Sequence, residues 1–190
     1  MSQLPADNMK GLFPAPPVIT TERLCLRPLT LRDAEDLRKF TREDSVYRYL
    51  PTFLFERKYD DPEEVISRLY DECLKDSLIL AVCEHDAFRG LFEVYSYRAP
   101  IRKVSVGYRL LEEAWGRGIA TEALGAVLEE LLDRRIWIAS ASTMPENQGS
   151  ARVLEKNGFN CVSTRIREDW GFEKPIPTNK WLRVRQRKEK

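Results

Sequence analysis

Val106-Gly107-Tyr108-Arg109-Leu110-Leu111-Glu112-Glu113-Ala114-Trp115-Gly116-Arg117-Gly118-Ile119-Ala120-Thr121-Glu122-Ala123 is the stretch from which the rest of the chain can be read. It begins in a β-rich run, residues 104–110, and passes two glycines one residue apart. It then enters a helical segment, residues 122–132, with Leu124, Val127, Leu128, Leu131 and Leu132 on one stripe. Strand, glycine turn and helix in that order make a place for an anion. Glycine lets the backbone come close, and the free N–H groups of a helix N-terminus sit at the positive end of its dipole. Two common phosphate loops are excluded: no GxxxxGK[ST] is present, and Thr121 stands where the third glycine of GxGxxG would fall. A plain glycine turn between strand and helix fits this segment alone equally well.

Outward from it, elements alternate along the chain. Residues 19–29 read as a strand, with Leu24 and Leu26 on one face and Arg23, Cys25 and Arg27 on the other. Thr30 and Asp33 are spaced as a capping pair, and Leu31, Ala34, Leu37 and Phe40 give the helix behind them its stripe. A stretch dense in aromatics follows (Tyr47, Tyr49, Phe53, Phe55 and Tyr59). Asp61-Pro62-Glu63-Glu64 then starts a second helix, continued by Val65, Ile66, Leu69 and Cys73. Residues 78–83 and 91–95 are β-rich, with residues 85–90 as a hairpin connection. Downstream, residues 136–141 are strand-like, Met144-Pro145-Glu146-Asn147 opens a helix that Gly158 closes, and strands are expected from Phe159 and over residues 181–184. The predicted order is β-α-α-β-β-β-α-β-α-β-β, an α/β (α+β) fold around one sheet. Residues 1–18, with four prolines and no periodic apolar pattern, are read as a flexible N-terminal arm, 19–184 as the domain and 185–190 as a charged C-terminal tail.

The 190-residue chain carries 31 Lys and Arg against 30 Asp and Glu, a formal net charge of +1. That balance points away from nucleic acid and anionic membranes as partners. Cys25, Cys73, Cys83 and Cys161 lack CxxC spacing and partner histidines, so no metal site is expected and a disulfide framework is not either. His85, the one histidine, falls in the hairpin connection and reads as solvated. With no basic leader and no apolar run of about 20 residues, a cytoplasmic protein is expected.

The segment from Val106 to Ala123 resembles motif A of the GNAT superfamily of acetyltransferases, and is closest to the RimJ/RimL-type branch, which often reads W-G-[KR]-G-x-A-T-E-A here. Trp115 occupies the [QR] place of the superfamily pattern, a departure common in that branch. Pro145-Glu146-Asn147-Gln148-Gly149-Ser150-Ala151-Arg152-Val153-Leu154-Glu155-Lys156-Asn157-Gly158-Phe159 resembles the branch's motif B, and Thr21-Glu22-Arg23-Leu24-Cys25-Leu26-Arg27-Pro28-Leu29 is similar to its opening strand. The resemblance spans residues 19–184. It implies a single mixed, mostly antiparallel sheet, splayed at an acyl-CoA site and flanked by helices. It also implies transfer of an acetyl group from acetyl-CoA to a primary amine, either a protein N-terminal α-amine or a small molecule, by a monomer or homodimer.

Roles follow for the matching residues. The amides of Gly116, Arg117, Gly118, Ile119, Ala120 and Thr121 would hold the CoA pyrophosphate. The backbone of Leu110 and Leu111 and the side chain of Asn147 would meet the pantetheine arm, and Ser150 would protonate the leaving thiolate. Local readings stand beside these: Asn147 is a good helix N-cap with Ser150 at its third position, and Gly158 a good helix end. The general base is open. Ser105 stands where many relatives carry Glu, so a non-catalytic acyl-CoA-binding module is the alternative. Asp169 and Glu168, before Trp170, and Glu93, on a neighbouring strand, are the candidate bases. Acceptor specificity is expected from residues 46–59 and the loop around residues 170–179.

Overall fold

A computed structural model of the chain describes residues 7–52, 54–57, 60–71 and 75–185. The expectations for Phe53, Tyr59 and Cys73, for residues 1–6 of the arm and for residues 186–190 of the tail lie outside them. The elements in chain order are β1 (Ile19–Thr20), β2 (Leu24–Arg27), α1 (Ala34–Arg42), α2 (Asp44–Tyr47), α3 (Pro62–Asp71), β3 (Ser77–Glu84), β4 (Ala87–Arg98) and β5 (Lys103–Leu110). There follow α4 (Ile119–Asp133), β6 (Ile138–Thr143), α5 (Gln148–Lys156), β7 (Asn160–Glu168) and β8 (Ile176–Val184). The strands form one open sheet in the order β1-β2-β3-β4-β5-β6-β8-β7, in which only β5 and β6 run parallel. The mixed, mostly antiparallel α/β sheet expected from the sequence is the one observed.

The sheet is covered on both faces, and its strand alternation decides which side chains go where. Phe92 and Val94 of β4 and Val104 and Val106 of β5 turn toward the stripe of α4 (Leu124, Val127, Leu128 and Leu131), joined by Leu154 of α5 and Phe159. The opposite face takes Leu37 and Phe40 of α1 and Val65 and Ile66 of α3 against Ala81, Cys83, Phe88 and Leu91. Each such apolar side chain contributes roughly 1.5–3 kcal/mol on full burial. Both cores pin β4, and the first also holds β5, so the centre of the sheet is the firm part on which a site can be built.

Local rules explain the boundaries. Thr30 and Asp33 form the expected capping box, with the Thr30 N–H donating to Asp33 Oδ2 at 2.7 Å. Asp61 Oδ1 accepts from the Glu63 N–H at 2.9 Å at the start of α3. The structure departs from the sequence reading in five places. Residues 19–29 are a tight β1–β2 hairpin, with Ile19 opposite Leu26, instead of one strand. The β3–β4 connection is a two-residue turn, His85-Asp86, both residues at positive φ, because β4 begins as early as Ala87. α2 was not foreseen within the aromatic stretch, and α4 starts at Ile119 because Gly118, at φ +79, turns the chain directly into it. Finally, residues 9–13 of the arm are docked, since Met9, Leu12 and Phe13 are buried in the main core and Arg134 lies 4.4 Å over the Phe13 ring. An apolar segment too short to show periodicity can still fill a gap in a core.

Candidate functional site

β5 and β6 are hydrogen-bonding neighbours only at Lys103–Ile138, Val104–Ala139 and Ser105–Ser140. Beyond Ser105 they part. β6 continues to Thr143 against β8, and β5 continues to Leu110 against β4, with Phe92 opposite Tyr108 and Gly90 opposite Leu110. The wedge between them is lined at its head by Ser105, whose Oγ is 3.0 Å from Ser140 Oγ.

The strand's own alternation says which backbone groups face the wedge. The Leu111 N–H donates to Arg89 O at 2.9 Å, toward β4. The N–H and C=O of Leu110 therefore point the other way, into the gap. The Leu110 carbonyl is taken there by the Trp115 indole N–H at 2.9 Å, which leaves its N–H facing the wedge. This hydrogen bond gives Trp115 a task at its unusual motif position: it ties the glycine turn to the end of β5. The Leu111 N–H is taken by Arg89 O and its carbonyl accepts from the Ala114 N–H at 2.9 Å, so both of its backbone groups are already partnered within the fold.

At the far side of the turn, the first α-helical hydrogen bond of α4 runs from the Glu122 N–H to Gly118 O at 3.0 Å. The N–H groups of Ile119, Ala120 and Thr121 precede it and have no partner within the helix. These three residues, with Gly116 and Gly118, line a cleft of about 530 Å³ that runs along the wedge. Positive φ at both glycines, +70 at Gly116 and +79 at Gly118, brings the turn over the helix end. Arg117 is not on the cleft wall; its guanidinium turns back to the buried Glu84, 2.7 Å from Oε2. Glu122 carries a negative charge in the same helical turn, and Arg23 (Nη2–Oε2 2.6 Å) and Thr21 (2.5 Å) neutralise and hold it.

The opposite wall is the start of α5. Asn147 is its N-cap, its Oδ1 accepting from the Ser150 N–H at 3.0 Å, as the local reading required. Ser150 Oγ lies 2.9 Å from the Tyr108 hydroxyl, across the wedge. Burial pushes the Tyr108 phenol up to about 12, against the opposing effect of the Ser150 hydrogen bond, so at neutral pH it is a protonated donor. Arg152 and Lys156, exposed and one helical turn apart, line the same cleft.

A second, larger cleft of about 1180 Å³ lies beyond, and the two share Tyr49, Leu50, Tyr108, Arg109, Asn147 and Ser150. It holds all three candidate acids. Glu93, opposite Gly107 on β4, places Oε2 3.3 Å from Arg109 Nη1. Glu168 accepts hydrogen bonds from Lys180 Nζ, Thr178 Oγ1 (2.8 Å) and Trp170 Nε1 (3.3 Å). Burial works to raise its pKa, but the Lys180 and Thr178 hydrogen bonds prevail and hold the carboxyl below its usual range. Asp169 is exposed, and its Oδ1 accepts from the Gly171 N–H at 2.9 Å. The two segments read as specificity elements meet over this cleft, where the Thr52 N–H donates to Trp170 O at 2.9 Å. Of the five aromatics, Tyr47 is core and Tyr49 lines both clefts.

Of the residues named from the sequence, the structure thus places Leu110, Gly116, Gly118, Ile119, Ala120, Thr121, Asn147 and Ser150 along the first cleft and the three acids along the second. The sequence reading missed Tyr108 and Arg109, and the cations Arg152 and Lys156. The signal for Tyr108 is period 2 from Leu110 along β5, and for Arg152 and Lys156 it is helical spacing from Gly149. Among the described residues no cluster of three His, Cys, Asp or Glu is placed to hold a metal ion, and no helix is long and apolar enough to cross a membrane.

Known proteins share this fold. The family model described as Acetyltransferase (GNAT) domain matches residues 23–160. The N-acetyltransferase YnaD of Bacillus subtilis, itself uncharacterised, is 28% identical over 165 residues, covering 86% of this chain and 91% of its own. Among solved structures, Mycobacterium smegmatis RimJ in complex with CoA-disulfide superposes with a TM-score of 0.78 at 20% identity, covering 89% of this chain and 88% of that one. RimL, a ribosomal L7/L12 alpha-N-protein acetyltransferase in complex with coenzyme A, does so at 0.76 and 16% identity, covering 88% and 98%.

Proposed function

The chain belongs to the acetyltransferase (GNAT) family and is an acetyl-CoA-dependent N-acetyltransferase, and we propose that it uses the two clefts for its two substrates, with a protein N-terminal α-amine as acceptor. The observation that carries the reading is the junction. One cleft runs from the open N-terminus of α4 along the parted strands, and it meets the other at Tyr108 and Ser150.

In this reading acetyl-CoA lies in the first cleft. Its pyrophosphate sits on the free amides of residues 118–121, with Arg152 and Lys156 adding positive charge at the rim. The Leu110 N–H meets the pantetheine arm in the wedge, and Asn147 borders it. The amine enters through the second cleft. Its nitrogen attacks the thioester carbonyl carbon, the C–S bond breaks, and the Ser150 hydroxyl protonates the departing thiolate. The Tyr108 hydroxyl, 2.9 Å from Ser150 Oγ and 3.3 Å from the Ser150 carbonyl, holds Ser150 at the junction, and when it donates to Oγ the serine proton is free to point at the sulfur.

Glu93 takes the proton from the amine, directly or through a water. Glu168 is spent on Lys180, Thr178 and Trp170, and its lowered pKa makes it a poor base. Asp169, at the solvent end of the cleft, is suited to attract the ammonium form of the acceptor instead. An α-amine, with a pKa of about 7.7–8.0 against about 10.4 for lysine, needs roughly 3.5 kcal/mol less to reach its neutral form. That favours it at a site where Ser105 replaces the usual Glu. It is also in keeping with the name of RimL. The microcin C7 self-immunity acetyltransferase MccE, a structural neighbour with a TM-score of 0.75 at 16% identity, covering 87% of this chain and 94% of that one, is the counterexample that keeps small molecules in the test.

The test is thiol release from acetyl-CoA over a panel of peptide N-termini, polyamines and aminoglycosides. Turnover highest with peptides bearing a free α-amine is expected. Peptides that are inert beside an active polyamine or aminoglycoside would overturn the acceptor assignment.

A further inference from the structure

Arg109 stands where the two clefts meet, yet its side chain is 4% exposed and holds two carboxylates at once. Glu93 Oε2 is 3.3 Å from Nη1. Glu56, on the 3-10 turn Phe55–Arg57, is 1% exposed and puts Oε1 2.6 Å from Arg109 Nε. The contact is a close ion pair between two buried groups. Burial works against the charge of Arg109, but Glu56 and Glu93 outweigh it and keep the guanidinium protonated. Glu56 also accepts from the Tyr47 hydroxyl at 3.4 Å, and the Arg57 guanidinium lies 4.5 Å over the Tyr47 ring. Glu56 is buried and lines neither cleft.

We propose that Glu56 is a positioning residue for the acetyl transfer: by holding Arg109 it limits how much of that cation Glu93 receives, and so keeps Glu93 basic enough to take the proton of the amine. The inference rests on the reading of Glu93 as the base. Its physical content is the competition of two anions for one cation. Without Glu56, Arg109 has Glu93 alone, and a carboxylate with an undivided cation beside it is a weaker base. The other groups facing Glu93 do not replace Glu56. Ile79 on β3 and Gly107 on β5, its cross-strand neighbours, carry no charge. Tyr95, next along the same face of β4, is a phenol pushed above its usual range, first by burial and then by Glu93, and stays neutral. From β7 and β8, Glu168 and Lys180 are paired with each other, and Asp169, Arg98 and Lys103 lie along the same cleft.

The experiment measures kcat/KM against pH, with separate kcat and KM for acetyl-CoA, for the full chain and for Glu56→Gln, Glu56→Asp and Glu93→Gln. Glu56→Gln is expected to move the acid limb to lower pH by about one unit and to reduce kcat at neutral pH roughly threefold to tenfold, with KM for acetyl-CoA unchanged. Glu56→Asp keeps the charge and should place the limb between the two; it also serves if thermal melts show that Glu56→Gln does not fold. Glu93→Gln should lose the limb and most of the activity. If Glu93→Gln is inactive but both Glu56 variants keep the limb where it was, the role of Glu56 is overturned and the base stands. If Glu93→Gln keeps normal activity and a normal limb, the base reading falls and takes this inference with it.

Discussion

Gly90 couples the fold to the site more tightly than any motif residue. It lies opposite Leu110 on β5, and a Cβ built on it would stand 2.2 Å from the Arg109 carbonyl oxygen and 2.7 Å from Leu110 Cα. Cβ contacts essentially never fall under 3.0 Å, so Gly90→Ala must drive β5 back by about 0.8 Å at the residues that face the wedge. Both neighbours are backbone, so no side-chain rotation can relieve the clash. Overpacking of this kind costs about 1–3 kcal/mol. For a chain of this size that lowers Tm by roughly 4–8 °C if the cost is about 2 kcal/mol. Displacing Leu110 and Arg109 by nearly an ångström should also reduce kcat/KM on the order of a hundredfold. Gly11→Ala is the control: it meets nothing within 4 Å and lines neither cleft. The assay is a thermal melt paired with steady-state thiol release on both variants. Melting and kcat/KM for Gly90→Ala matching the wild-type protein would refute the reasoning.

Four further outcomes are expected. Tyr108→Phe should lower kcat about fivefold, the value of roughly one hydrogen bond to Ser150, while KM for acetyl-CoA stays put in steady-state assays. Phe13→Ala should cost about 3–5 kcal/mol in urea unfolding, because the ring is buried in the main core beneath Arg134. Glu168 has a lowered folded pKa, so its stabilisation is present above the unfolded value of about 4.3 and lost as pH falls through the folded one. The Tm gap between wild type and Glu168→Gln should therefore be flat from neutral pH to about pH 5 and close in stronger acid, with the acid limb of kcat/KM unmoved. Arg152→Ala and Lys156→Ala should each weaken acetyl-CoA binding, and calorimetry should show a shallower dependence on salt than in wild type.

Much of the architecture was legible because it rests on local rules. The capping pair of Thr30 and Asp33, the acidic start of α3 at Asp61 and the stripe of α4 are each specified within a few residues. What escaped depends on partners far along the chain. Phe13 is buried by Arg134 and the main core, over a hundred positions away, so nothing in the arm itself marks it as docked. His85 and Asp86 form the β3–β4 turn at positive φ without glycine, so the usual turn signal pointed instead to Gly90, which the strand needs for its approach to Leu110. At the site, the residues of the two motifs could be named because each motif is continuous in the chain, and most of them line the first cleft. The direction of the Leu111 N–H was not legible, because it depends on which strand lies beside it. Arg109 and Glu56 carry no motif; only the tertiary structure brings them together.

The central claim, that the cleft over the N-terminus of α4 holds acetyl-CoA, is tested most directly by calorimetric titration of acetyl-CoA into Gly118→Asp. A carboxylate about 4 Å from the bound pyrophosphate would cost about 4 kcal/mol at an effective dielectric of 20, and Arg23, 3.7 Å from the position of the new Cβ, offsets part of that. Binding at least tenfold weaker than wild type, in a protein that still melts cooperatively, is the expected result. Unchanged affinity in a folded Gly118→Asp protein would contradict the placement of the cofactor.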